Sequence, residues 1–509
     1  MSLAKSGSLA SLCVMYGAAI AFVTTLVVSN GAGAAAAGEF FNLMAFFALA
    51  TSLTVFGADT GLIRTFSAQR AVGRVRQLPR LLHYASLPVQ LFSCALSAGV
   101  IVYALLADLP TATRNALLLA APCIPLAAVM TLCFGALRGL SRVVLFTLLQ
   151  NVLLPTLRLV AVFAVVAWGA SQLQISLLPA LTLAWTLPVL AVCAIAGILT
   201  HRFMGAALAD PVEPKPTGAS GAYAPAENFR SFWSFSSARG FAALVETALE
   251  WVDVLCVSAF AGPVAAGIYG AVNRCVRVGT MIEHTCRIVT GPAISAALAI
   301  DNRKRASDIF LATTRVLTLL AWPFYLSLAF FGPTLLSVFG RDFSAGAPIL
   351  WVIAPAVMLS MSAGGVQSLL LMSGKSRWQL GNKLAALVLS LVLNFSLVPS
   401  FGMWGAVIAW ALAILIDTAL ASYQVFKLVG IRASWAQMAP TLLLAAGVPS
   451  VLAAACLAWH GQGLKSLVIY AVTFCGSYAA LCWVAREYIG LSDFLASRRG
   501  SKASVGIKD

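Results

Sequence analysis

Four ionisable residues stand inside one apolar stretch of helix length, ARGFAALVETALEWVDVLC (238–256): Arg239, Glu246, Glu250 and Asp253. Carboxylates at that depth can hold a cation or a proton, or accept hydrogen bonds from hydroxyl groups. An arginine among them can grip an oxyanion in bidentate fashion. At about 100° per residue the four occupy an arc of about 60° on a helical wheel. The apolar stretch that follows, AVNRCVRVGTMIEHTCRIV (271–289), repeats the arrangement. There Asn273, Arg277, Thr280, His284 and Arg287 fall within about 80° of one another, with Arg274 and Glu283 on the flanks. A short turn near residue 261 would make the two helices antiparallel neighbours, with Glu246 at the level of Arg277 and Arg239 at the level of Glu283.

Two readings of these faces stay open. One is a structural lock, in which the charges satisfy each other between two helices. The other is a polar cavity wall that meets a charged ligand. A charge at the centre of a bilayer costs about 2.5–3.5 kcal/mol on insertion scales, so such residues are functional candidates. Further charges are scattered. Asp59 and Arg64 end another apolar stretch on different faces, and Arg64 can snorkel to the interface. Arg158 follows Asn151 by one to two turns and could line a second cavity. Asp417 and Arg315 read as single polar bonds between helices.

The elements that must carry these residues are membrane spans. Of 509 residues 61% are hydrophobic and only 10% charged, against about 25% charged in soluble domains. Apolar runs of spanning length recur near 9–29, 40–63, 85–107, 116–137, 144–168 and 175–199. After a polar break they resume at 231–258, 264–298, 310–331, 348–372, 380–398, 403–426, 436–459 and 464–485. The first is too long for a signal-peptide core and reads as a retained helix. The expectation is an all-α polytopic membrane protein of about fourteen spans. With both termini in the cytoplasm, 24 basic residues fall on the inner side and three on the outer, Arg114, Arg341 and Lys465. That bias accounts for the net charge of +16 without nucleic acid.

Residues 201–230 are rich in Pro, Gly, Ala and Ser and read as a cytoplasmic linker. The expected organisation is an N-terminal lobe at 1–200, the linker, a C-terminal lobe at 231–430, and a final helix pair with a basic tail at 431–509. No loop is long enough for a separate catalytic domain, and no P-loop, HExxH or Ser/His/Asp set occurs. An enzyme is not expected, nor a cofactor. The 11 cysteines lie almost wholly in apolar runs and read as buried, reduced residues.

The halves echo each other. GEFFNLMAFFALATSLTVFGADTGLIRTFSAQRAVGR (38–74) and GIYGAVNRCVRVGTMIEHTCRIVTGPAISAALAIDNR (267–303) are separated by 229 residues throughout. LRGLSR (137–142) and MSGKSR (372–377) are separated by 235. Paired repeats around a linker mark transporters that handle substrate between two lobes. The matching positions of the first helix, Ala10, Gly17, Ala21 and Thr24, are uncharged, so the polar site belongs mainly to the second half.

Gly-Glu-Phe-Phe (38–41), FGADTGLIRTFSAQRA (56–71), the 137–142 loop and EWVDVLCVSAFAGPVAAGIYGAVNR (250–274) together resemble the polysaccharide-transporter branch of the multidrug/oligosaccharidyl-lipid/polysaccharide exporter superfamily. The likeness covers about 9–430, and the last two spans look like the extra pair some members carry. It implies two pseudo-repeated six-helix lobes plus a C-terminal pair. It also implies a flippase that moves a polyprenyl-pyrophosphate glycan outward across a bacterial plasma membrane by alternating access. On that reading Arg239, Asn273, Arg274, Arg277, Arg287 and Arg158 contact substrate, while Glu246, Glu250, Asp253, Glu283 and Asp59 couple an ion or gate the path. The implied partners are the lipid-linked glycan, membrane lipids, a coupling cation or proton, and a polysaccharide polymerase. A multidrug/cation antiporter of the same superfamily is the alternative.

Overall fold

The structure is a computed structural model that describes residues 3–168, 176–209, 228–300, 302–373, 375–430 and 435–485. Among the described residues all regular structure is helical. The chain divides into two compact units, Met1–Ser258 and Ala259–Asp509. The division therefore falls after the seventh apolar run, not in the 201–230 linker.

In the first unit α1 (Leu3–Val55) is interrupted at Gly33, whose φ of 74° and ψ of 175° only glycine adopts readily. The chain folds back there, as its neighbours show. Tyr16 is 3.0 Å from the Thr156 hydroxyl and Gly31 abuts Val166, so the first part of α1 runs beside α7 (Leu154–Trp168). Arg158 lies between those levels and stacks on Trp185, whose ring also meets Phe40 and Phe47 edge-on. A straight helix would carry Phe47 about 24 Å beyond Gly31, out of reach.

The next helices are α2 (Ala58–Ala71), α3 (Leu78–Leu106), α4 (Thr111–Ala120) and α5 (Cys123–Gly139). Of these, α2, α3 and α5 surround a core of Leu62, Phe66, Leu78, Leu81, Leu132 and Leu140, closed by Phe232. A six-residue helix, α6 (Val143–Leu148), passes through a π-helical turn at Leu149–Leu153 into α7. Then follow α8 (Leu177–Ala209) and the start of α9 (Phe229–Ala299).

α9 is interrupted at Gly262, with φ 85° and ψ 172°. These dihedrals match Gly33 at the 229-residue separation of the sequence repeat. The loops of the second echo both close a helix in the same way, the Arg142 N–H donating to the Leu137 carbonyl and the Lys375 N–H to the Leu370 carbonyl, but 233 residues apart rather than 235. One feature is not repeated. Between α1 and α2 Phe56 and Gly57 take positive φ, 42° and 77°. The matching positions, 285 and 286, lie in unbroken helix, because Cys286 stands where the first half has glycine.

The second unit contains the rest of α9, then α10 (Arg303–Phe330), α11 (Gly332–Ser337), α12 (Leu350–Ser362), α13 (Val366–Met372), α14 (Ser376–Phe401) and α15 (Met403–Val429). Its core joins Ile294 and Ala297 of α9 to Phe310, Leu369, Leu370 and Val425. The last pair, α16 (Trp435–His460) and α17 (Leu464–Val484), docks on α10. Tyr470 shares a 2.7 Å hydrogen bond with Ser327, and the Tyr478 hydroxyl donates to the Leu319 carbonyl at 2.8 Å. Twelve helices among the described residues are long and apolar enough to cross a membrane. Two of these are the helices interrupted at Gly33 and Gly262.

Candidate functional site

The charged face of α9 in the first unit is set by how the helix packs. Ser236, Gly240 and Thr247 meet the chain around Gly57 and Ser52: Gly240 abuts the Phe56 carbonyl, and Thr247 Oγ1 lies 3.2 Å from Ser52 Oγ. Trp233 Nε1 donates to the Tyr84 carbonyl at 3.0 Å. These packed positions centre about a quarter turn from the arc of Arg239, Glu246, Glu250 and Asp253. Accordingly Arg239, Glu246 and Glu250 are exposed, while Asp253 is only 2% exposed.

In the second unit the same geometry recurs. Ile268, Val272, Val276 and Gly279 form the packed side, against Gly346 and against Tyr325. The Tyr325 hydroxyl donates to the Val276 carbonyl at 2.9 Å. About a quarter turn away lie Asn273, Arg277 and Thr280. Arg277 Nε donates to Asn273 Oδ1 at 3.4 Å, a long bond, so these two expected site residues do meet. Arg274 and Glu283 are half-buried. The side chains of Arg287 and His284 lie outside the described residues. The pairings of Glu246 with Arg277 and of Arg239 with Glu283 join the two units and stay expectations.

Asp59 and Arg158 belong to the first unit. Asp59 sits at the start of α2, half-buried, with the Thr60 hydroxyl 3.5 Å from both carboxylate oxygens. α5 crosses α2 there, Gly135 resting on the Asp59 backbone, and Gly57 meets Ser236 and Gly240 two residues away. Glycines at these crossings let backbones touch, as small residues do between membrane helices. Arg158 is pinned by Trp185, to whose carbonyl its Nε donates at 3.1 Å while its guanidinium lies 3.7 Å over the ring. Trp185 is a residue that the charge pattern misses. Its signal is position, since it sits mid-span whereas tryptophans usually gather at the interfaces.

Two other buried charges form helix-to-helix bonds, as their isolation suggested. Lys383 Nζ lies 2.7 Å from Asp417 Oδ2 between α14 and α15, next to a reciprocal amide pair of Asn382 and Gln424. Arg315 donates to the Gln437 carbonyl at 3.2 Å. Arg64, exposed, lies 4.3 Å over the Phe235 ring.

An all-helical chain with two repeated halves, glycine breaks at matching places and ionisable faces on membrane-spanning helices is a polytopic transporter-type membrane protein. It belongs to the polysaccharide biosynthesis protein family, whose model matches residues 3–295. Among curated proteins it is similar to a probable low-salt glycan biosynthesis flippase, Agl15, of Haloferax volcanii, with 23% identity over 220 residues. That match spans 42% of this chain and 45% of the relative, so it covers about half of either protein. Among solved structures, the lipid II flippase MurJ in an inward closed conformation superposes with a TM-score of 0.71. It covers 94% of this chain and 99% of that one at 12% identity. An inward-facing multidrug resistance MATE family transporter of the MOP superfamily gives 0.57, covering 81% and 96% at 14% identity. At such identities these are likenesses of fold.

Proposed function

We propose that the protein is a flippase that moves a lipid-linked glycan, carried on a polyprenyl pyrophosphate, from the inner to the outer leaflet of a bacterial plasma membrane. The observation that carries the reading is the pair of ionisable faces on α9, each turned away from the packed side of its helix. Exposed Arg239, Glu246 and Glu250 in a membrane span are too costly against hydrocarbon and belong to a water-filled path. In that path Arg239, Asn273, Arg274, Arg277 and Arg287 meet the pyrophosphate, for which the guanidinium fork is suited. Glu246, Glu250, Asp253 and Glu283 bind the coupling cation or proton, or gate the path by pairing with those arginines until substrate displaces them. Asp59 and Arg158 act in the first half, Asp59 at the helix crossing and Arg158 as a pinned positive wall. A partner polymerase would consume the exported unit. Family membership supports a role in polysaccharide assembly, and the glycan-flippase relative supports the class of cargo.

The test is lipid-linked glycan analysis of cells lacking the protein, with lectin or glycosidase applied to intact spheroplasts and to inverted vesicles. Accumulation of a polyprenyl-linked glycan accessible only from the cytoplasmic face is expected. Unchanged lipid-linked glycans, with altered sensitivity to cationic dyes, would replace this reading by the antiporter.

A further inference from the structure

A second charged feature lies away from the two α9 faces, in the first unit. Arg70, at the end of α2, and Arg142, in the turn after α5, line one cavity of about 270 Å³ with Val75, Leu140, Phe203 and Ala206. Its volume far exceeds the roughly 10–15 Å³ that one water needs. Val75 and Leu140 are buried parts of the helix core, so the floor is fixed.

Neutral groups orient both guanidiniums. Arg70 Nη1 donates to Ser141 Oγ at 3.0 Å and, at the limit of reach, to the Gly139 carbonyl at 3.5 Å. Among the described residues these bonds all leave from one nitrogen, and an arginine has five N–H donors. Arg142 lies 4.4 Å over the Phe203 ring, and a guanidinium stacked in this way keeps its N–H edges for hydrogen bonding. Among the described lining residues there is no carboxylate. Two fixed positive groups thus face a cavity whose described lining supplies no counter-charge. They sit where α2, α5 and α8 end, on the side where the charge bias of the loops puts most of the basic residues.

We propose that this cavity binds the phosphate of a lipid headgroup between Arg70 and Arg142. The phosphate replaces water at the free N–H edges of both guanidiniums, and the Phe203 ring closes one side. The chemistry suits either a membrane phospholipid or the pyrophosphate of a polyprenyl lipid waiting beside the transport path. Only the second source rests on the flippase reading.

The experiment is native mass spectrometry of the full chain released from detergent, titrated separately with phosphatidic acid, with diacylglycerol of the same chains, and with undecaprenyl pyrophosphate. The wild type should retain phosphatidic acid and not diacylglycerol. Arg142→Gln should weaken that retention about tenfold or more, the scale of one charge-assisted hydrogen-bonded contact. Arg64→Gln, which removes an equal charge from the exposed face of α2, should leave it unchanged. Equal loss in both variants would reduce the effect to surface charge and overturn the site, as would undiminished retention of both phosphate lipids in Arg142→Gln. If Arg142→Gln unfolds, Phe203→Leu removes the stacking surface and is expected to weaken retention in the same direction; unchanged retention there overturns the proposal. Loss confined to undecaprenyl pyrophosphate would identify the cargo lipid as the occupant, and equal loss of both phosphate lipids a general headgroup site. The phosphatidic acid result holds whether or not the deletion strain accumulates unflipped glycan.

Discussion

Replacing Gly135 by alanine tests the claim that backbone contact at the α2–α5 crossing holds Asp59 in place. A methyl group built there would lie 2.6 Å from the Asp59 carbonyl oxygen and 2.8 Å from its Cα. Carbon contacts are most favourable at about 3.5–4.0 Å, so the helices must part by about 1 Å. The obstacle is main chain, which cannot rotate aside as a side chain would. Overpacking of this kind costs about 1–3 kcal/mol, against about 1 kcal/mol of helix propensity gained by losing a mid-helix glycine. The expected net change is a destabilisation of up to about 2 kcal/mol. Gly99 of α3 has open space around it, so Gly99→Ala is expected to be neutral or slightly stabilising. Thermal unfolding in detergent, followed by labelling of the buried Cys133 and Cys193 thiols, reads both variants on one scale. If Gly135→Ala unfolds no earlier than Gly99→Ala, the crossing is looser than described and glycine is not required there.

Glu246→Gln and Arg277→Ala should each lower glycan flipping about tenfold or more, with the unfolding temperature nearly unchanged, since Glu246 is exposed and Arg277 half-buried and neither change opens the packed side of its helix. A loss of folded protein matching the loss of flipping would favour the lock over the path. Lys383→Met should destabilise by about 1–3 kcal/mol, because it leaves the Asp417 carboxylate unpaired between α14 and α15; adding Asp417→Leu should restore much of it, as denaturant titration of the double variant would show. Tyr325→Phe should cost about 1 kcal/mol through the lost bond to the Val276 carbonyl, measured by the same labelling assay.

Helix class and span positions were legible because apolar runs of about twenty residues and the charge bias between loops are imposed by the bilayer itself. The repeat was legible too: the Gly33 and Gly262 breaks sit at the separation read from the letters alone. The faces on α9 were legible from helical periodicity, and Asn273 with Arg277 at i and i+4 became a contact. What holds those faces in place was not. Gly240 against Phe56, Gly135 against Asp59 and Tyr325 in the gap at Gly279 are meetings of distant residues whose types are ordinary in membrane helices. The Arg158–Trp185 stack was half visible: the arginine stood out, the tryptophan did not. The seventh run's place with the first unit also depends on close backbone contacts, which composition does not encode.

The break at Phe56–Gly57 has no partner at 285–286, and this difference bears on why two copies are joined in one chain. The ionisable arc from Asn273 to Arg287 keeps to one face only while the helix is continuous through 285–286. The positions matching Asn273, Arg277 and Arg287 in the first copy are Met44, Ala48 and Ala58, so that copy carries no such arc across its bend. A symmetric dimer of identical chains would have to carry either the bend or the charges twice. Fusion after duplication frees each copy from the other's constraint: one second helix is free to specialise in shape, the other in charge.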